Sequence, residues 1–108
     1  MRPCIIYTTF PSLEDGRNIT DKIVSEGLAA CANLLPGMES NYMWEGKLQR
    51  SSEVACIIKT SAEMEAKLME RLAQIHPYEI PCILSIPVQD GHMPYISWLL
   101  SQSCSNTA

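Results

Sequence analysis

The sequence predicts an α+β fold of the ferredoxin-like type, with the element order β-α-β-β-α-β, an antiparallel sheet and one extra helix at the C-terminus. Two observations carry this prediction. Short apolar, β-branched runs alternate in this order with stretches of helical periodicity. Two strand-like arms of unusual length flank a turn at residues 45–46, which predicts a long hairpin between the second and third strands. A length of 108 residues suits one domain, 1–108.

The first strand is the run CIIYTTF at residues 4–10, which Pro11 ends. Ser12 is well placed to cap the helix that follows, because acidic residues occupy the first turn, where the helix dipole favours anions. Gly27 is expected to end this helix in a left-handed conformation.

The second strand is predicted over LAACANLL, residues 28–35, with a bend or bulge at 36–37, where proline precedes glycine. The third strand then runs on through EVACIIKT, residues 53–60.

A two-residue turn at 45–46, with glycine second, is a reasonable hairpin connection. It would place Trp44 opposite Lys47 and Tyr42 opposite Gln49. Each arm of this hairpin is longer than an ordinary strand of five or six residues, so its tip should project beyond the core.

Ser61 is expected to cap the second helix, and Pro77 to end it. A fourth strand follows over residues 79–88, and Pro94 suits the first turn of the last helix. The tail 101–108 is expected to be frayed. The second helix carries one amphipathic stripe, formed by Met64, Leu68, Leu72 and Ile75.

Composition argues against several classes of protein. The net charge of −4 with eight scattered basic residues is unlike a nucleic-acid-binding surface. No run of 18 apolar residues predicts a membrane span, and the N-terminus lacks a secretory signal, so we expect a cytoplasmic protein. The five cysteines are odd in number and widely spaced, which favours small buried hydrophobic groups in a reducing compartment over a disulfide framework.

The strands predict a partner. They are apolar on both sides, so the sheet face without the two main helices must be buried against something else. The hairpin tip also carries large apolar side chains, at Tyr42, Met43 and Trp44, which together with Trp98 are typical of interface anchors. The last helix is short and could cover only part of the bare face. We therefore expect the chain to assemble with copies of itself.

The motifs LAACANLLPG, YMWEGKL, IKT and HPYEIP, in this order, resemble the CutA family of divalent-cation tolerance proteins. The resemblance extends from the first strand to Trp98. It implies a ferredoxin-like subunit in a compact cytoplasmic homotrimer, linked to tolerance of copper and other divalent cations, with no enzymatic activity. It also implies a build similar to the PII signalling proteins, which bind small effectors between subunits.

The copper-binding proposal for this family uses a cysteine late in the first strand and a pair of histidines before the Pro-Tyr motif. Aligned on the motifs, the cysteine position is Thr8 and the first histidine position is Ile75, so only His76 is kept. Cys4 lies in the same strand, four residues early. The departure weakens a carried-over copper site.

His76 has two interpretations. As a ligand, its imidazole suits a divalent metal such as Cu(II), with Glu79 or a neighbouring chain adding an oxygen. As a structural residue, His76 ends a helix, where a protonated imidazole would interact favourably with the free carbonyls and the negative end of the helix dipole. Pro77 and Pro81 then fix the turn that follows.

Other side chains suggest a second kind of site. Lys59, Arg50 and Glu53 could line a cleft between subunits that holds an anion or effector. A thiol enzyme using Cys82 with His76 is the third hypothesis, although an apolar strand is a poor setting for a thiolate. The sequence therefore predicts a cytoplasmic trimer in divalent-metal tolerance that binds Cu(II) weakly, or alternatively a PII-like effector-binding or partner-binding trimer.

Overall fold

A computed structural model describes residues 2–104 of the chain. Within them, four strands form one antiparallel sheet in the order β2-β3-β1-β4, and three helices accompany it. The elements are β1 (Pro3–Phe10), α1 (Leu13–Ser25), β2 (Cys31–Trp44), β3 (Lys47–Ser61), α2 (Glu65–Ile75), β4 (Ile83–Pro87) and α3 (Met93–Gln102). This order and topology confirm the predicted α+β, ferredoxin-like fold with its extra C-terminal helix.

Helix α1 begins and ends as predicted. The Ser12 hydroxyl accepts the backbone N–H of Asp15 at 3.1 Å, which satisfies one of the free donors of the first turn. Gly27 takes a φ of 77°, and the N–H groups of Gly27 and Leu28 bond back to the carbonyls of Val24 and Ile23. This double closure is a Schellman motif.

The same closure explains a correction to the second strand. Residues 28–30 are predicted to be part of it, but β2 begins at Cys31. The N–H of Leu28 is bonded to the end of α1, so the chain first reaches β3 two residues later, where the N–H of Ala30 donates to the carbonyl of Lys59 at 2.9 Å.

The long hairpin is confirmed. Strand β2 shifts register against β3 between Leu35 and Met38, and Gly37 has a φ of 88°, so the predicted bulge is present. Trp44 pairs with Lys47 across the turn, as predicted. The hairpin gives the molecule an elongated shape of 46 × 29 × 21 Å.

Ser61 does not cap α2. It is the last residue of β3, and its hydroxyl donates to the carbonyl of Ser103 at 2.6 Å. Helix α2 begins only at Glu65, after a turn, with Met64 at the cap position and no side-chain cap. The Ser61 hydroxyl, which the sequence predicts as the cap of α2, therefore bonds to the C-terminal segment instead.

Two further boundaries differ from the prediction. Strand β4 starts at Ile83 and not at residue 79, because Pro81 has no N–H for the ladder and the preceding segment turns across the end of the sheet. Ser101 and Gln102 belong to α3, and Ser103 is fully buried, so fraying does not begin at residue 101. Residues 105–108 lie outside the described part.

The core lies between the sheet and helices α1 and α2. Its largest fully buried apolar side chains are Ile6, Phe10, Ile23, Ile58, Leu68 and Leu72. Of the five cysteines, Cys4 and Cys56 are buried, whereas the other three keep some exposure, so the expectation of small buried groups applies to only part of the set.

The opposite face of the sheet is apolar and only partly covered. Tyr7 pairs with both Ile57 and Leu84, and this row of side chains points away from the core. Helix α3 lies over the Ile5 and Lys59 end of the face. The remainder is open: the exposed fractions are 49% for Leu35, 57% for Leu84 and 47% for Ile86.

Candidate functional site

His76 is a buried corner residue. Pro77 ends α2 here, and the histidine takes an extended backbone conformation that turns the chain toward β4. The imidazole stacks on Phe10, with ring centroids 5.0 Å apart, and lies 5.2 Å from the ring of Tyr78.

Both ring nitrogens of His76 have protein partners. Nδ1 accepts the backbone N–H of Tyr78 at 3.1 Å, and Nε2 lies 2.8 Å from the carbonyl oxygen of Thr9. Since Nδ1 accepts, Nε2 carries the proton and donates it, which assigns the neutral tautomer. Burial lowers the pKa of His76 and outweighs the opposing pull of the Thr9 carbonyl and the carboxylates of Glu53 and Asp15.

Two of the three positions of the proposed copper set, Thr8 and His76, come together, although without a thiolate. Thr8 Oγ1 lies 3.2 Å from His76 Nε2, and Ile75 packs against the core. Cys4 is buried in the same strand, its thiol 3.7 Å from the carbonyl of Ser61, and burial, with Glu65 beside it, raises its pKa to about 12. Imidazole nitrogens that already donate and accept leave no lone pair for an ion, so these residues do not fit a copper centre in this arrangement.

Glu79 is exposed and follows the corner. Within residues 2–104, no group of three or more His, Cys, Asp or Glu side chains is placed to hold a metal ion. A metal contact at His76 and Glu79 stays a prediction.

A cleft of about 660 Å³ lies beside the corner, between the hairpin and the segment that leads into β4. We call it the hairpin cleft. Its volume is in the range of small-molecule sites. Its lining residues are Thr9, Pro11, Tyr42, Trp44, Gln49, Ser51, Ser52, Glu53, Tyr78, Glu79, Ile80 and Cys82.

Glu53 and Tyr78 form the polar centre of the hairpin cleft. The Tyr78 hydroxyl donates to Glu53 Oε2 at 2.8 Å. Burial tends to raise the pKa of Glu53, but hydrogen bonds from Ser40, Tyr78 and Thr9 outweigh it, and the net shift is downward. Burial and the Glu53 carboxylate both raise the pKa of Tyr78. At neutral pH the pair is therefore a carboxylate held by a neutral phenol.

Cys82 lines the same cleft but is not an activated thiol. Burial, followed by the nearby Glu53 carboxylate, raises its pKa, whereas nucleophilic cysteines have a lowered one. His76 cannot act as its base without breaking the bond from the Tyr78 N–H.

The predicted interface anchors are all substantially exposed: 43% for Tyr42, 64% for Met43, 50% for Trp44 and 44% for Trp98. Tyr42 and Trp44 line the hairpin cleft, whereas Trp98 lies on α3 with its ring 5.6 Å from that of Tyr95.

Three residues were expected in a cleft between subunits, and within the single chain Glu53 lines the hairpin cleft, while Lys59 lines a smaller pocket of about 140 Å³ under α3. Lys59 lies under α3, where its Nζ donates to the Tyr95 hydroxyl at 3.3 Å. Arg50 lies on the hairpin and donates to Asn41 at 2.6 Å. Tyr78 is a candidate site residue that the sequence alone did not connect to Glu53, because the bond between them joins positions 25 residues apart.

The fold and its cleft define an α+β protein of ferredoxin-like topology whose extended hairpin forms one wall of a potential binding site. Residues 4–102 match the family described as CutA1 divalent ion tolerance protein. The chain belongs to this CutA1 family.

Curated relatives agree with this assignment. The chain is 38% identical over 99 residues to the divalent-cation tolerance protein CutA of Pyrococcus horikoshii, and the match covers 92% of this chain and 96% of that protein. It is 40% identical over 95 residues to the chloroplastic protein CutA 1 of Oryza sativa subsp. japonica. That match covers 88% of this chain but only 54% of the rice protein, so the chain spans about half the length of this relative.

Solved structures agree in fold. CutA1 from Oryza sativa superposes with a TM-score of 0.94 at 36% identity, covering 98% of this chain and 97% of that one. CutA from Xylella fastidiosa gives a TM-score of 0.93 at 33% identity, covering 96% and 100%.

Proposed function

We propose that this protein works in divalent-cation tolerance as a cytoplasmic homotrimer that binds ligands and does not catalyse a reaction. The observation that carries the proposal is the open apolar sheet face, with Leu35, Leu84 and Ile86 about half exposed, next to a cleft walled by the hairpin. Contiguous apolar surface of this kind marks an interaction site. Burying it between copies also places other chains beside the hairpin.

The cytoplasmic location is supported by the thiols. All five cysteines are free, as expected in a reducing compartment. No helix within residues 2–104 is long and apolar enough to cross a membrane.

Direct Cu(II) binding, if it uses His76 and Glu79, must be weak. Nδ1 can reach an ion only after it loses the N–H of Tyr78, so the metal must offset a broken hydrogen bond. We expect a shallow Cu(II) titration by isothermal calorimetry that His76→Ala or Glu79→Gln reduces further.

His92 provides the matched control, because it is the only other histidine and is exposed. Binding that disappears in His92→Ala but persists in His76→Ala is surface adsorption and contradicts the predicted site. The absence of heat in every variant removes direct Cu(II) binding and leaves the tolerance role to an indirect effect.

A second candidate function is effector binding in a PII-like trimer, and the hairpin cleft favours it. The cleft combines aromatic walls with a few fixed polar groups, which is typical of small-molecule sites. A ligand that binds only the folded protein raises its melting temperature, so a metabolite library read by thermal shift tests this function.

A further inference from the structure

The walls of the hairpin cleft have an unusual charge balance. Two carboxylates, Glu53 and Glu79, line it, and among residues 2–104 no Lys, Arg or His side chain does. Two aromatic rings of the hairpin, Tyr42 and Trp44, form another part of the wall and are about half exposed. In the single chain their faces are therefore open, and the proposed trimer would place a neighbouring chain beside them.

We infer that the hairpin cleft binds a small organic cation, an amine or quaternary ammonium compound, between the hairpin aromatics and the Glu53 carboxylate. This inference rests on the second proposed function, effector binding, and names its ligand class.

The aromatic walls favour a cation because the face of an aromatic ring carries negative potential. A cation over Trp or Tyr gains roughly 0.5–1 kcal/mol at an exposed site and more when it is desolvated. Trp44 and Tyr42 are two residues apart on β2, so both side chains lie on the same side of the hairpin. A ligand lying across this strand can contact both rings.

The carboxylate adds the charge complement. Hydrogen bonds from Tyr78, Ser40 and Thr9 hold Glu53 in place and use about three of the four acceptor positions of its carboxylate. The remaining lone pair can accept from an ammonium N–H, and the charge can face a quaternary nitrogen. The hydroxyls of Ser51 and Ser52 and the amide of Gln49 supply further acceptors along the wall.

Other ligand classes suit the cleft less well. A bare divalent ion needs several converging ligands, and the described residues hold no such group of three. An anionic effector such as a nucleotide would meet two carboxylates and, in the described part of the chain, no basic side chain to pair with its phosphates.

Choline and its neutral isostere 3,3-dimethylbutan-1-ol provide the test, because they differ only in the charged nitrogen. Spermidine serves as a second cation and ATP as the anion. The indole N–H resonances of the two tryptophans report the site in the intact protein. We expect both cations to shift the Trp44 resonance and to leave that of Trp98 unchanged, whereas the isostere and ATP should shift neither resonance.

Glu53→Gln should weaken choline binding about tenfold, since the aromatic contacts remain when the charge is lost. Glu70→Gln is the matched control, because Glu70 is exposed on α2 and does not line the cleft. It should leave choline binding unchanged.

The other outcomes overturn the inference in distinguishable ways. Equal shifts from choline and its isostere show that charge is not recognised. A response to ATP and not to the cations overturns the ligand class and leaves effector binding intact. No response to any of these probes overturns the organic-cation inference, and effector binding is overturned as well only if the metabolite library gives no thermal shift. If Glu53→Gln dissociates the assembly and no cation responds, the cleft is filled by a second copy of the chain.

Discussion

His76 shows how one residue can suit two roles until its neighbours are known. The sequence places a histidine at the end of a helix, before proline, where both a ligand and a corner residue are reasonable. In the fold, Nδ1 of His76 accepts the N–H of Tyr78 and Nε2 donates to the carbonyl of Thr9. The imidazole thereby joins the end of α2 to β1, and its neutral form is the one that fits.

This role predicts a pH dependence of stability. The pKa of His76 is lowered in the folded state, so the unfolded chain binds the extra proton first. The stabilisation is fully present above the unfolded pKa of about 6.5 and is lost as pH falls below it, toward the lower folded pKa. We expect urea midpoints to fall from pH 7 to pH 5, and the fall to be smaller in His76→Gln.

His92→Gln, which changes the exposed histidine, should keep the slope of the parent protein. A slope that vanishes in His92→Gln and persists in His76→Gln would assign the titration to the wrong residue and contradict the structural role.

At the scale of the element, the hairpin is the most distinctive part of the chain. The bulge at Gly37 and the turn at Glu45-Gly46 set its course, and both depend on backbone conformations that glycine adopts without steric cost. Glu45 and Gly46 have φ values of 51° and 78°, so the turn is of the primed type that matches the twist of paired strands.

The turn allows two substitutions with opposite expected signs. Gly46→Ala should destabilise the protein by about 1 kcal/mol, because the left-handed conformation is strained with a Cβ, even though no atom lies within 4 Å of it. Glu45→Asn should stabilise it by a few tenths of a kcal/mol, roughly, because asparagine tolerates a positive φ better than glutamate.

Urea denaturation at one protein concentration compares the two variants with the parent. Equal effects of the same sign would show that side-chain contacts, and not backbone conformation, control this turn.

At the scale of the whole molecule, the sheet separates two environments. One face packs on α1 and α2, whereas the other is apolar and covered only at one end by α3. The hydrogen bond from Ser61 to Ser103 fixes the C-terminal end of α3, so this helix is not free to move and cover the exposed part of the sheet. The proposed trimer is the arrangement that would bury this surface.

Charges on the open face test that proposal. Leu84→Asp and Ile86→Asp should dissociate the assembly, because an unpaired carboxylate in an apolar interface is strongly unfavourable. The molar mass from size-exclusion chromatography with light scattering should fall from three chains to one.

Val24→Asp is the matched control, since Val24 is 38% exposed on α1, an element on the other side of the sheet. A parent protein that is already one chain, or variants that keep the parent mass, would contradict the trimer.

Local signals in the sequence determined most of the fold. Ser12, Gly27, the bulge at residues 36–37 and the turn at residues 45–46 each act through their own backbone and nearest neighbours, and all lie where predicted. The apolar strands by themselves likewise predict an open face. These features need no knowledge of distant residues.

Only the tertiary structure decided how distant residues share their polar groups. Ser61 does not cap α2 as expected but donates to the carbonyl of Ser103. Glu53 accepts from the Tyr78 hydroxyl, and His76 donates to the backbone of β1. Each contact joins positions at least 25 residues apart, and side-chain hydrogen bonds follow the proximity that folding creates. The physical reason is that backbone geometry is a local property, whereas a binding site is made by the packing of separate elements.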